Sequence, residues 1–149
     1  MMLLNRIVRS DGPAAIVLVR LMVGAVFLSE GIQKFLFPDQ LGIGRFTRIG
    51  IPAPELLAPF VGVVEIVCGA MVLIGLLTRL AAIPLIINML VAIATTKIPI
   101  LAGKGFWAMA HEARTDWSML LGSIFLLIAG PGPLSVDSRL GSRRREQQP

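Results

Sequence analysis

Residues 54–77 read PELLAPFVGVVEIVCGAMVLIGLL, and this apolar run decides the class of fold. An α-helix rises about 1.5 Å per residue, so about 20 residues cross a hydrocarbon core of about 30 Å. Beyond Glu55 near its start, the run contains one charged residue, Glu65, close to its middle. A carboxylate at that depth is costly unless it faces other helices and finds a partner there. The run therefore predicts a membrane helix that buries Glu65 inside a bundle.

Three further stretches share this apolar character, and they cover residues 13–37, 79–97 and 115–129. The stretch that follows residue 77 begins so soon that the two helices must form a tight antiparallel hairpin, and we expect Pro84 to kink the later one. The last stretch stops at Gly130-Pro131-Gly132-Pro133, which no helix tolerates. The remaining residues, 38–53 and 98–114, are predicted to be loops. The pattern predicts an all-α fold, an antiparallel bundle of four transmembrane helices.

The composition excludes a soluble domain. The chain has 149 residues, of which 55% are hydrophobic and 15% charged, and its mean hydropathy is +0.80. Soluble domains carry about 25% charged residues because charge covers their surface. We therefore divide the chain into a cytoplasmic N-terminal segment (1–12), a four-helix membrane domain (13–137) and a basic, disordered tail (138–149).

The basic residues flank the apolar stretches, as topology signals do in membrane proteins. The net charge is +5 and the sequence pI is near 10.7, values that a nucleic-acid-binding protein can also have. Because the basic residues flank apolar stretches, however, the expected partner is membrane lipid, and we expect no binding of nucleic acid. An even number of crossings puts both termini on one side. That side holds seven basic residues: Arg6, Arg9, Arg79, Arg139, Arg143, Arg144 and Arg145. The other side holds five: Arg45, Arg48, Lys97, Lys104 and Arg114. Cytoplasmic termini are thus favoured for a multi-pass protein of the cytoplasmic (inner) membrane.

Metal and haem chemistry are not expected of this chain alone. It contains one cysteine, Cys68, and one histidine, His111. Iron–sulfur clusters need several thiolates, and zinc sites need three or four nitrogen, sulfur or oxygen ligands. We therefore predict no metal site and no cofactor held by this chain by itself.

Five polar residues interrupt the apolar stretches, and they are the candidate site: Arg20, Glu30, Lys34, Glu65 and Asn88. At 100° per residue, Arg20 and Lys34 fall on one face of the first helix together with Gly24 and Gly31. Small residues let helices approach closely in lipid, so this face should meet the Gly62–Gly69 face of the second helix. We predict an ion pair between Arg20 and Glu65, with Lys34 either paired with Glu30 or directed outward.

Two interpretations of these buried charges remain open. Ion pairs between helices can simply lock the register of a bundle, or they can line a polar pocket for a quinone headgroup or a proton path. Three residues of the predicted loop 98–114 and its border are further candidates, because they could close the mouth of such a pocket: His111, Glu112 and Asp116.

Three fragments in order carry a family resemblance. They are Arg20–Gly24 with Glu30–Phe35, then Glu65 and Gly69 with Gly75–Arg79, and then Gly130–Asp137. Together they resemble the DoxX family of small four-helix membrane proteins. The resemblance implies a membrane subunit of a quinone-linked oxidoreductase or a redox-defence complex, since relatives are described in thiosulfate oxidation and beside superoxide-detoxifying and sulfurtransferase proteins. It also implies quinone as a ligand, and other redox-complex subunits or a second copy of the chain as partners.

Other functions stay open beside this one. The chain could be a structural or assembly protein without catalysis, or a small transporter that acts as an oligomer. Whether it catalyses a reaction or serves as a non-catalytic subunit is also left open by the sequence.

Overall fold

The structure is a computed structural model in which residues 12–146 are described. Within those residues the chain is helical and contains no strand, which confirms the all-α prediction. The helices are α1 (Ile16–Leu36), α2 (Ile43–Arg48), α3 (Pro54–Ile74), α4 (Thr78–Lys104), α5 (Phe106–Ala129) and α6 (Val136–Glu146).

Three of these helices, α1, α3 and α4, are long and apolar enough to cross a membrane. Helix α5 has 24 residues, but every 18-residue stretch of it includes Glu112, Arg114 and Asp116. Helix α5 is therefore long enough to cross a membrane, but each such stretch carries three charged residues, whereas the other three long helices have stretches of this length with at most two. The described residues thus contain three candidate membrane spans.

The helices associate as two pairs. Helix α1 packs along α3, and α4 packs along α5, while α3 and α4 are joined by a tight turn at residues 75–77. Glycines allow the α1–α3 contact: a Cβ atom added to Gly31 would lie 2.7 Å from the carbonyl oxygen of Gly62, and one added to Gly24 would lie 2.8 Å from that of Gly69. The predicted meeting of these two small-residue faces is confirmed.

The prediction of a loop at 98–114 is wrong. Helix α4 continues to Lys104, α5 starts at Phe106, and Gly105 between them has a φ of 83°, which favours glycine. The sequence prediction ends one apolar stretch at Lys97 and begins the next at Thr115, both beside charged or polar residues. A helix needs only its own backbone hydrogen bonds to continue, so polarity alone does not end it. The last helix of the bundle is consequently much longer than predicted.

The segments outside the long helices also differ from the sequence prediction. Residues 38–53 contain the short helix α2, and the tail predicted to be disordered contains most of α6. The hydroxyl oxygen of Ser135 accepts a hydrogen bond from the backbone N–H of Ser138 at 3.1 Å, which caps the start of α6. Residues 147–149, and all of the predicted N-terminal segment except Gly12, lie outside the described residues.

Candidate functional site

Glu65 lies at the centre of a polar cluster between three helices. Its Oε2 atom accepts a hydrogen bond from Nζ of Lys34 at 2.6 Å, and its Oε1 atom accepts one from Nδ2 of Asn88, also at 2.6 Å. The side chains of Lys34 and Glu65 are 11% and 4% exposed. Both carboxylate oxygens are therefore bound by donors, one from α1 and one from α4. We call Lys34, Glu65 and Asn88 the cavity cluster.

Glu30 lies at the edge of this cluster. It precedes Lys34 by one helical turn, and its Oε2 atom is 3.9 Å from Lys34 Nζ. Its side chain is about half exposed, so Lys34 lies between a buried and an accessible carboxylate. The predicted Lys34–Glu30 pairing is present, but it is the longer of the two contacts, and Lys34 is not directed outward.

The packing of α1 on α3 explains why Lys34 reaches Glu65. Gly31 lies one turn before Lys34 and touches the backbone at Gly62, one turn before Glu65. Because the two backbones touch there, the long lysine side chain can reach across to the middle of α3 without leaving the interior.

The cavity cluster lies on the wall of a cavity of about 680 Å³, which we call the interhelical cavity. It lies between the α1–α3 pair and the α4–α5 pair, and residues of α2 line one end of it. Small-molecule and cofactor sites have volumes of about 300–1,000 Å³, with apolar walls and a few converging polar groups. Its apolar lining includes Phe27, Phe46, Val61, Val64, Ile87 and Met119.

A second ion pair lies on the same cavity wall. Nζ of Lys97 is 3.2 Å from Oδ2 of Asp116, and both side chains are largely buried. The pair joins α4 to α5 on either side of the Gly105 break. Sequence reasoning missed Lys97 as a site residue because it placed Lys97 in a membrane-flanking position. A helical hairpin centred on Gly105, with opposite charges in its two arms, was the signal that could have revealed it.

Arg20 does not pair with Glu65, and this prediction is wrong. Its guanidinium donates to the carbonyl oxygens of Val72 at 3.0 Å, Leu73 at 2.6 Å and Pro131 at 3.1 Å, and also to that of Leu134. A Cβ added to Gly75 would lie 2.7 Å from Cζ of Arg20, so Arg20 is level with Gly75. Glu65 lies ten residues before Gly75 in the chain, which corresponds to about 15 Å along α3.

Asp137 completes the polar group around Arg20. It is fully buried, and its carboxylate accepts hydrogen bonds from the backbone N–H groups of Leu77 at 2.9 Å and Thr78 at 3.2 Å. Its own N–H donates to the carbonyl of Gly75 at 3.0 Å. We call Arg20 and Asp137, with the backbone groups they bind, the turn cluster. It closes the end of α3 and the start of α4.

The three predicted closing residues lie on α5 rather than in a loop. Asp116 lines the interhelical cavity through its pair with Lys97. His111 and Glu112 are exposed and do not line the cavity; Nε2 of His111 is 2.6 Å from Nη1 of Arg114. Of the five candidates inside the apolar stretches, the structure brings together Glu30, Lys34, Glu65 and Asn88, and it places Arg20 elsewhere. Among the described residues, no three His, Cys, Asp or Glu side chains are grouped so as to hold a metal ion.

These features define a small helical membrane protein with a polar cluster in an apolar cavity, and sequence comparison gives its family. The DoxX family matches residues 15–98. A membrane protein of Mycobacterium tuberculosis, Rv3486, is 59% identical over 144 residues, which are 93% of this chain and 88% of that protein. The chain belongs to the DoxX family, and the resemblance found in the sequence is confirmed.

Two more distant relatives come from other bacteria. A Bacillus subtilis protein named "Putative oxidoreductase CatD" is 28% identical over 120 residues, covering 80% of this chain and 82% of that protein. An uncharacterized protein of Haemophilus influenzae is 29% identical over 130 residues, covering 85% of this chain and 91% of that protein. No solved structure gives a significant match.

Proposed function

We propose that this protein is a membrane subunit of a redox system and that it binds a quinone in the interhelical cavity. The observation that carries the proposal is the cavity cluster itself, a buried ammonium and carboxylate with a partly buried carboxamide, on the wall of a largely apolar cavity. A quinone has a flat apolar ring with two carbonyl oxygens. It therefore needs an apolar space with a hydrogen-bond donor and a proton-exchanging group at one side.

Each residue of the cavity cluster has a distinct role in this proposal. The ammonium of Lys34 donates a hydrogen bond to a quinone carbonyl oxygen. Glu65 gives or takes the proton that accompanies a change in the quinone's redox state. Asn88 holds the Glu65 carboxylate in place from α4. Arg20 has no part in this site, because its donors are bound to backbone carbonyls away from the cavity.

The relatives support the redox assignment by analogy only. The name of the Bacillus subtilis protein CatD describes an oxidoreductase, and a shared fold by itself does not transfer an activity. The partner that supplies or accepts electrons is a second subunit in this proposal.

Quinone binding to the purified protein in lipid nanodiscs tests the proposal. Lys34→Met should weaken binding about tenfold or more, because a hydrogen bond from a charged group contributes about 1.5–3 kcal/mol. Glu65→Gln should also weaken binding, because Lys34 loses the carboxylate that holds its ammonium in place. Matched controls are Glu112→Gln and Lys104→Met, which change the same residue types at exposed positions outside the cavity. Unchanged affinity in Glu65→Gln, with a native helical circular dichroism spectrum, would contradict the proposal.

A structural function is the second candidate, and one observation favours it: every polar side chain of the cavity cluster is already paired. The double exchange Lys34→Glu with Glu65→Lys separates the two candidates. A purely structural pair predicts that the exchange restores both folding and function. A quinone site predicts restored folding and lost binding, because the donor and the carboxylate have exchanged positions.

We also propose that α5 is a fourth crossing and that both termini face the cytoplasm. Helix α5 packs along α4, and the Asp116 carboxylate forms an ion pair with Lys97 inside the protein. In a Cys68→Ser background, single cysteines at Gly50 and Ser142 should react with a membrane-impermeant maleimide from opposite sides. Labelling of both from the same side would contradict four crossings.

A further inference from the structure

The sides of the interhelical cavity differ in how they are closed. Towards α1 and α5, its lining includes Phe27 and Met119, which are 1% and 4% exposed. Towards α3 and α4, the lining includes Phe60, Ile87 and Val91, which are 61%, 57% and 47% exposed. On α1 and α5 the more exposed lining groups, Glu30 and Thr115, are polar. On α3 and α4, by contrast, the exposed lining side chains Phe60, Ile87 and Val91 are apolar and merge with the outer surface of the protein.

The opening lies between two helices that are long and apolar enough to span a membrane. Phe60 follows the start of α3 by six residues, about 9 Å, and Glu65 lies about 16 Å from that start. Ile87 precedes Asn88 directly, and Val91 lies one turn beyond Ile87. These three exposed side chains are all apolar. The surface reached from the cavity here is thus of the kind that contacts acyl chains rather than water.

The other end of the cavity, next to the connection between α1 and α3, is covered. Helix α2 lies over it, and the ring of Phe46, 7% exposed, lines the cavity from that helix. The Lys97–Asp116 pair also lies on the cavity wall. An apolar chain leaving the cavity in that direction would have to pass a buried ring and an ion pair.

We infer that the interhelical cavity opens sideways into the bilayer between α3 and α4, and that its ligand is a membrane-resident molecule whose long apolar tail leaves through this opening. This inference rests on the proposed quinone site and adds to it the class of quinone, one with a long isoprenoid tail. The headgroup meets Lys34 and Glu65, and the tail passes Phe60, Ile87 and Val91 into the lipid. The ligand reaches the site from the membrane.

Blocking the opening tests the inference. Val91→Trp places a large ring at its edge, and Leu90→Trp places the same ring on the neighbouring residue, which is equally exposed but does not line the cavity. In nanodiscs containing a quinone with a nine-unit isoprenoid tail, Val91→Trp should slow association at least tenfold. Leu90→Trp should stay within about twofold of the unsubstituted protein.

The outcomes separate this inference from the proposed function. If Val91→Trp binds the long-tailed quinone as fast as the unsubstituted protein while Glu65→Gln binds it weakly, the quinone site stands and the lateral opening is wrong. If the unsubstituted protein binds neither this quinone nor a tail-less benzoquinone, the proposed function fails.

A second measurement tests the opening without any quinone. In a background with Trp107→Phe and Trp117→Phe, the single tryptophan of Val91→Trp should be quenched by lipids that carry brominated acyl chains. A tryptophan placed at the buried position of Met119 should be quenched at least threefold less. Equal quenching at the two positions, or none at residue 91, would overturn the lateral opening.

Discussion

The turn cluster and the cavity cluster both bury charge among apolar helices, but they bind different partners. Arg20 and Asp137 bind backbone groups, namely the carbonyl oxygens near the end of α3 and the N–H groups at the start of α4. Lys34 and Glu65 bind each other, with Asn88, beside a cavity. Backbone partners are fixed and leave no room for a ligand, whereas side-chain partners can rearrange around one. Of the two clusters, only the cavity cluster therefore has both side-chain partners and space beside it, as the proposed binding site requires.

Helix dipoles explain why the turn cluster has its particular charges. The C-terminal end of a helix carries partial negative charge and the N-terminal end partial positive charge. The cation Arg20 lies at the first kind of end and the anion Asp137 at the second. Each charge satisfies backbone groups that have no partner within their own helix.

The largest effect expected from this comparison is on stability at the turn cluster. Arg20→Met removes the donors to several buried carbonyl oxygens and should lower the free energy of unfolding by about 3–5 kcal/mol, since each unsatisfied acceptor costs about 1–3 kcal/mol. Denaturant titration in detergent measures it. Arg139→Met, at an exposed position, is the control. A loss below about 1 kcal/mol would remove the distinction between the two clusters.

A somewhat smaller effect is expected at the start of α4. Asp137→Ala removes the side-chain cap from Leu77 and Thr78, and loss of such a cap costs about 0.5–2 kcal/mol. The thermal midpoint of unfolding in detergent should fall. The quinone affinity of the Asp137→Ala protein, measured at a temperature where it is folded, should stay unchanged. Asp39→Ala, an exposed position, serves as the control. A selective loss of quinone binding without a fall in the midpoint would assign Asp137 to the site instead.

The ion pair between α4 and α5 should contribute less. We expect a double-mutant cycle of Lys97→Met and Asp116→Asn to give a coupling energy of about 1 kcal/mol, between the values for exposed and buried pairs. Chemical denaturation of the four proteins measures it. A coupling energy near zero would mean that the two side chains line the cavity independently.

The smallest effect is expected at Glu30. Its carboxylate is half exposed and farther from Lys34 than Glu65 is, and such surface pairs contribute about 0.3–0.5 kcal/mol. Glu30→Gln should change stability by no more than this and quinone affinity by less than threefold. A tenfold loss of affinity would move Glu30 into the binding site.

The sequence predicted the helices and their contacting faces better than it predicted the axial alignment of one helix against the next, that is, which residues of two packed helices lie at the same level. Periodicity placed Arg20 and Lys34 on the face that meets α3, and both do meet it. They are four turns apart, however, and periodicity contains no information on which of them is level with Glu65. The axial alignment of α1 against α3 depends on how residues 37–53, with the short helix α2, connect the two helices, and no pattern in the sequence specifies it.

The extended α4–α5 hairpin was missed for a different reason. Its residues from 98 to 114 resemble a loop because they include Pro99, Gly103 and Gly105, but those after Gly105 favour helix locally, with three alanines and the good helix formers Glu112 and Arg114. Glycine, proline and charged residues indicate a loop only on average, and a helix tolerates them near its ends or on an exposed face. The Lys97–Asp116 pair of the site was missed with it.

The contacts of Asp137 also determine how much of the C-terminus can be removed. The N–H of this residue donates to Gly75 and its carboxylate caps α4, so it joins the last described helix to the turn between α3 and α4. Removing the residues after 130 would therefore uncap α4. It would also remove the carbonyl oxygens of Pro131 and Leu134, to which Arg20 donates hydrogen bonds. The smallest unit that retains the fold extends past the last long helix and includes the beginning of α6.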